Sequence, residues 1–124
     1  MKKYILLAFI GIASLTFGQD VEFKGSNFKE DKDGFKTAKE ELDLGTEQWL
    51  LGNAQVFVVK SPEMFYKKGL EHFEKAYAFN PNSAELNFKI GVCHAHSTNK
   101  DKCISFIKDA HERNPEVDPF IDYY

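Results

Sequence analysis

Five side chains with metal-binding or redox chemistry crowd into residues 93–111: Cys93, His94, His96, Cys103 and His111. Cys93-His94-x-His96 followed by Cys103 puts sulfur and imidazole ligands close in sequence, and zinc takes such ligands tetrahedrally. On a helix, however, successive residues point about 100° apart, so Cys93 and His94 cannot easily share one ion. The pattern predicts neither a metal nor a cofactor. The two cysteines have two readings of equal merit: a disulfide between facing helices, or two small buried thiols. No serine or cysteine lies in a nucleophile motif beside an orienting base, and no glycine run could cradle a phosphate. Catalysis is not expected.

These residues depend on the elements that carry them. Asn82 or Ser83 can cap a helix over 84–96, with Leu86, Ile90, Val92, Cys93 and Ala95 covering more than one face, as a helix buried on two sides requires. Ser97 to Lys100 reads as a turn. Asp101 begins a second helix reaching about Arg113, with Cys103, Ile104, Ile107 and Ala110 assigned to its inner side and Pro115 ending it. Counting back from Pro115 gives Ala110 at five and Ile107 at eight; counting back from Pro81 gives Ala76 and Phe73 at the same offsets. The interval from Pro81 to Pro115 is that of one helix-turn-helix unit in a stacked array.

Residues 1–18 stand apart. Lys2 and Lys3, a short apolar run over 4–13, and small residues at Thr16 and Gly18 read as a secretory signal cleaved before Gln19. Sixteen basic residues less Lys2 and Lys3 leave fourteen against nineteen acids, a formal charge of −5 for residues 19–124. That balance excludes the basic face nucleic acid demands. Residues 19–33 are dense in charge and in Gly, Ser and Asn, and read as a flexible lead-in. Twelve phenylalanines, five tyrosines and one tryptophan in so short a chain argue for packed helices with large side chains.

Ile90-Gly91, Cys103, Ile107, Ala110 and Pro115 resemble the tetratricopeptide repeat pattern: a large apolar residue and Gly in the first helix, a small residue, a large one, an alanine and a closing proline. Asn87 and Ile107 stand where that family prefers aromatics. In the resemblance, Gly91 lets two helices approach, with Cys103 opposite it. Leu44-Gly45, Gly52, Gly69, Phe73, Ala76 and Pro81 resemble an earlier copy elongated by twelve residues between Gly52 and Gly69. Ser61-Pro62-Glu63 supplies a capped start for its second helix, and Gln55 to Val59 is assigned to helix. The resemblance implies an all-α solenoid over 34–124: one repeat over about 34–81, a second over 82–115, and the start of a third over 116–124.

A solenoid of that kind implies a concave face built by its leading helices. Carried over residue by residue, it holds Lys39, Leu42, Asp43, Thr46 and Trp49 from the first repeat, and Glu85, Phe88, Lys89, Val92 and His96 from the second. Trp49 and Phe88 could anchor an extended or helical segment of a protein partner, or could belong to the core. The exported start, elongated first repeat and Asn-Pro turns further resemble the front of large bacterial envelope proteins, in which a β-propeller and an outer-membrane-protein-A-like domain follow. The expectation is therefore a non-enzymatic interaction scaffold in the periplasm or on the periplasmic face of the outer membrane. Self-association through Phe120, Tyr123 and Tyr124, and a purely structural role within a longer protein, are the competing expectations.

Overall fold

Helical hydrophobic periodicity and a Pro-terminated turn closing each repeat leave paired helices as the economical way to bury the aromatics. A computed structural model describes residues 18–117 apart from 57, 59, 60 and 98. Among these residues all regular structure is helical: a 3-10 turn at Gly25–Asn27, then α1 (Lys32–Val56), α2 (Glu63–Phe79), α3 (Ala84–Ala95) and α4 (Lys100–Arg113). α1 pairs with α2 and α3 with α4, while α3 also lies against both helices of the first hairpin. One core runs through both hairpins, from Leu42, Tyr66 and Phe73 to Leu86, Ile90, Cys93, Ile107 and Ala110. Residues 1–17, which fall in the expected signal segment, and residues 118–124, with Phe120, Tyr123 and Tyr124, lie outside the described residues.

Each hairpin closes on a glycine facing a large side chain. A Cβ on Gly45 would come within 2.6 Å of the Phe73 ring and 3.1 Å of the Gly69 carbonyl oxygen. A Cβ on Gly91 would meet the Ile107 side chain at 2.7 Å and its backbone nitrogen at 3.2 Å. Ile107, not Cys103, is thus the residue opposite Gly91. Cys103 is buried one turn away, and the branched side chain needs the space more than the thiol does.

The two contacts also explain the elongation. Phe73 follows Gly45 at a longer interval than Ile107 follows Gly91, and the excess equals the twelve added residues. Those residues form one more layer of the same kind: Gly52, two turns after Gly45, packs on Tyr66, two turns before Phe73, with a would-be Cβ 2.9 Å from the ring. Tyr66 is only 1% exposed, and its hydroxyl donates to Asn53 Oδ1 at 2.7 Å. α1 runs on through Gln55 to Val56, and Val58 N donates to the Gln55 carbonyl at 3.0 Å in the turn.

The helix ends repeat as faithfully as the core. Asn80 and Asn114, separated by the same interval as the prolines that follow them, cap α2 and α4 in extended backbone, as a residue before proline prefers. The N–H of Asn80 donates to Ala76 O and that of Asn114 to Ala110 O, both at 2.9 Å. Each side-chain oxygen then accepts from the backbone N–H two residues on, Asn82 at 3.1 Å and Glu116 at 3.0 Å. Of the two residues offered as the α3 cap, Ser83 is used, its Oγ accepting from Leu86 N at 3.2 Å. Ser61 does not cap α2; Pro62 is the residue before its first turn, and no side chain caps it.

Residues 19–31 differ most from expectation. Asp20 Oδ1 accepts from Ala84 N at 2.9 Å, adding a carboxylate to the α3 N-terminus, where the helix dipole favours it. Val21 N donates to Asn82 O, Asn80 Nδ2 donates to Val21 O, and Arg113 Nη1 donates to Gln19 O. Phe28 lies 4.9 Å from Phe79 and 5.4 Å from Phe35, ring centre to ring centre. Composition alone hid this docking, because Phe23 and Phe28 find their partners far along the chain. Ile104, assigned to the inner side of α4, is 61% exposed instead.

Alanine for glycine in a helix normally gains about 1 kcal/mol, whereas overpacking a closed core costs about 1–3 kcal/mol. Phe73 is fully buried and the Gly69 carbonyl is backbone, so neither can give way. Gly45→Ala should therefore lower stability by about 1–2 kcal/mol in urea unfolding, despite its helix propensity.

Candidate functional site

The seam between α1 and α3 gathers half of the expected groove. The rings of Trp49 and Phe88 meet edge to face at 6.3 Å and 75°. Lys89 Nζ stands 5.4 Å from the centre of the Trp49 ring, donates to Thr46 Oγ1 at 3.1 Å and pairs with Glu85 Oε1 at 2.5 Å. The lysine stem is buried, so its ammonium is held by an aromatic face, a hydroxyl and a carboxylate together. Glu85 itself is exposed. Trp49, Glu85, Phe88 and Lys89 thus come together with Thr46, Phe88 as a core residue at 8% exposure and Trp49 packed against that core.

The remaining expected residues do not join them. Lys39 and Asp43 form an i, i+4 ion pair on the outer surface of α1. Leu42 and Val92 are core, at 4% and 2% exposure. His96, placed at the groove by sequence, follows α3 and stacks flat on Tyr66 of α2, ring centres 4.5 Å apart and planes at 5°. The extra Gly52–Tyr66 layer supplies that ring.

Tyr66, His96 and Cys93 line a pocket of about 220 Å³ together with Glu63, Lys67, Leu70 and Ser97. Sequence reasoning gave Tyr66 no such role, although its two-turn spacing from Phe73 and the matching step from Gly45 to Gly52 carried the signal. His94 points elsewhere, stacking on Phe106 at 5.6 Å in a groove of about 310 Å³ with Glu74, Tyr77 and Lys102. Adjacent residues on α3 therefore enter different cavities. His111 is exposed on α4.

Burial pushes the Cys93 thiol up to about 12 and the Cys103 thiol in the same direction. Both are free and protonated at neutral pH, so neither offers a thiolate nucleophile. Among the described residues no three His, Cys, Asp or Glu side chains converge as a metal would need. Comparison with protein-family models, with curated proteins and with solved structures finds no match. The geometry must carry the functional reading.

One feature of the seam is costly. Trp49 Nε1 is buried and has no acceptor among the described residues. A desolvated, unpaired donor costs about 1–3 kcal/mol, a penalty phenylalanine would avoid while keeping an aromatic edge against Phe88. Trp49→Phe should leave thermal stability unchanged or slightly raised, measured by calorimetry.

Three groups make the fold acid-sensitive. The hydrogen bond from His72 Nδ1 to Glu41 Oε2, 2.6 Å long, is the main reason the Glu41 carboxyl is held below its usual value. Burial depresses His94, with the Lys102 charge adding to it, and burial alone depresses His96. The unfolded chain takes up protons from about pH 6.5 downward that folded His94 and His96 refuse, and Glu41 loses its contribution at lower pH still. Tm should therefore begin to fall below pH 6.5. His96→Phe, which keeps a ring on Tyr66 and removes the titration, should flatten the upper part of that fall.

Proposed function

We propose that this chain is a tetratricopeptide-like interaction module of the bacterial cell envelope, exported and non-enzymatic, which binds a segment of a protein partner along the α1/α3 seam. The observation that carries the reading is the Trp49–Phe88–Lys89 cluster, which spans the two leading helices. The partly buried Trp49 ring, backed by Phe88 in the core, provides the anchoring area, and exposed Glu85 provides a charged border. The large residue that meets a glycine, the alanine and the Asn-Pro turn recur at the repeat spacing, which supports the family reading.

One observation favours a second reading, in which the repeats chiefly assemble a longer peptidoglycan-associated outer-membrane protein. Ile104 is the equivalent of Leu70 one repeat earlier. Leu70 is partly buried against the core that α3 shares, whereas Ile104 is exposed, as a face awaiting another unit would be.

Capture from envelope extract separates the two. The Trp49→Phe, Glu85→Gln double variant alters the seam without setting a like charge beside buried Lys89, and under the groove reading it should lose partners that the unmodified chain and an Ile104→Ser variant retain, with the circular dichroism spectrum unchanged. An unchanged set of captured proteins would remove the groove reading.

A further inference from the structure

The buried polar side chains among the described residues are Asn80, Ser83, Asn87, Lys89 and His94. The first four are tied down: Asn80 by Val21 and Asn82, Ser83 by Leu86, Asn87 by two carbonyls, Lys89 by Thr46 and Glu85. His94, at 7% exposure, has no hydrogen-bond partner for its ring among the described residues. Buried polar groups are normally paired, as the half-buried His72 is with Glu41. The His94 ring nitrogens are not sealed off either, since Trp49 Nε1 is the one wholly inaccessible, unpaired side-chain polar atom among the described residues. They open into the groove of about 310 Å³ that His94 lines.

Three helices build that groove. Ile90 and His94, one turn apart on α3, form its floor; Leu70, Glu74 and Tyr77 follow one stripe of α2, and Lys102, Ser105 and Phe106 one stripe of α4. Tyr77 meets Phe106 edge to face at 5.7 Å and 74°, and the His94 ring lies 5.6 Å from Phe106 at 24°. The groove therefore holds a right-angled aromatic corner, which accepts a further ring by face or by edge. Glu74 and Lys102 are exposed on opposite walls and form no ion pair with each other or with another described residue. Burial is the main reason the His94 pKa is depressed; the Lys102 charge lowers it further and the Glu74 charge raises it, so both walls lie within electrostatic reach of the imidazole. In its neutral form that imidazole offers one N–H donor and one nitrogen acceptor.

We propose that this groove binds a zwitterionic α-amino acid with an aromatic or branched apolar side chain. Lys102 and the Ser105 hydroxyl take the carboxylate and Glu74 takes the ammonium. The side chain lies against the Tyr77–Phe106 corner, and the His94 ring exchanges water for the ligand's polar head. A purely anionic ligand would meet the Glu74 carboxylate and a purely cationic one the Lys102 ammonium, whereas a ligand carrying both charges satisfies both walls. The volume agrees, since small-molecule sites begin at about 300 Å³, the end of the range that suits a single amino acid. The site shares no residue with the α1/α3 seam and stands whether or not that seam binds a protein.

Proton–carbon correlation spectra of the histidine rings in the full chain, titrated with L-phenylalanine, test this, with exposed His111 on α4 as the internal control. The His94 ring should shift saturably with a dissociation constant of about 1 mM or tighter, as a ligand of about a dozen non-hydrogen atoms supports, while His111 does not move. N-acetylphenylalanine, which lacks the ammonium, and phenylalaninamide, which lacks the carboxylate, should each bind about fivefold more weakly, the scale of an ion pair on an exposed wall. Glu74→Gln should abolish the difference between phenylalanine and N-acetylphenylalanine, and Lys102→Gln that between phenylalanine and phenylalaninamide, with circular dichroism unchanged because both positions are exposed. No saturable His94 shift up to about 20 mM phenylalanine, or equal shifts of His94 and His111, would overturn the proposal. So would N-acetylphenylalanine binding as tightly as phenylalanine, because the groove would then hold a chain terminus, or charge variants that leave the ligand preferences intact.

Discussion

Everything in this fold depends on how closely its paired helices approach. At Gly45, Gly52 and Gly91 the missing side chain is replaced by a ring or a branched chain from the opposite helix, leaving no room for even one added carbon. Such contacts fix distance and register together, since a slip of one residue would drive a side chain into Phe73, Tyr66 or Ile107. Gly69 lets the first hairpin close beside Trp49, whose backbone nitrogen lies 3.6 Å from where a Gly69 Cβ would be. Trp49 is thereby held where its ring can cross to Phe88 on the next hairpin. The seam between the hairpins follows from the same close approach that builds the core.

The polar interior is arranged around the turn that joins the hairpins. Asn80, Ser83 and Asn87 are all nearly inaccessible, and each is satisfied by backbone groups of that turn or of the 19–31 segment that crosses it. Burying an amide is tolerable only with such pairing, so the turn and the segment hold one another in place. Asn87 donates to the Pro81 and Ser83 carbonyls at 2.8 Å each. It exchanges hydrophobic area for a tied-down helix start.

The residues that most invite a catalytic reading are the ones most fully absorbed by packing. Cys93 faces the first hairpin, Cys103 is buried on α4, His94 rests on Phe106 and His96 on Tyr66. Burial keeps the thiols protonated and the imidazoles neutral, which suits a core and disarms a nucleophile.

Residue types and local spacing determined four features: helix in every long periodic stretch, a stop at each Asn-Pro, the Ser83 start of α3, and an enlarged first hairpin. Those rest on interactions within one turn or on a period that repeats along the chain, and such interactions leave a local pattern. The convergence of Trp49, Phe88 and Lys89 was legible for the same reason, through the matching positions of two repeats. The tertiary structure alone decided what each side chain meets: Ile107 rather than Cys103 against Gly91, Tyr66 beneath His96, Ile104 in the open, and Asp20 capping a helix that begins far along the chain at Ala84. Two apolar faces one repeat apart look alike in sequence. Only the packing of one hairpin on another, opposed by chain entropy and fixed by shape, determines which of them is covered.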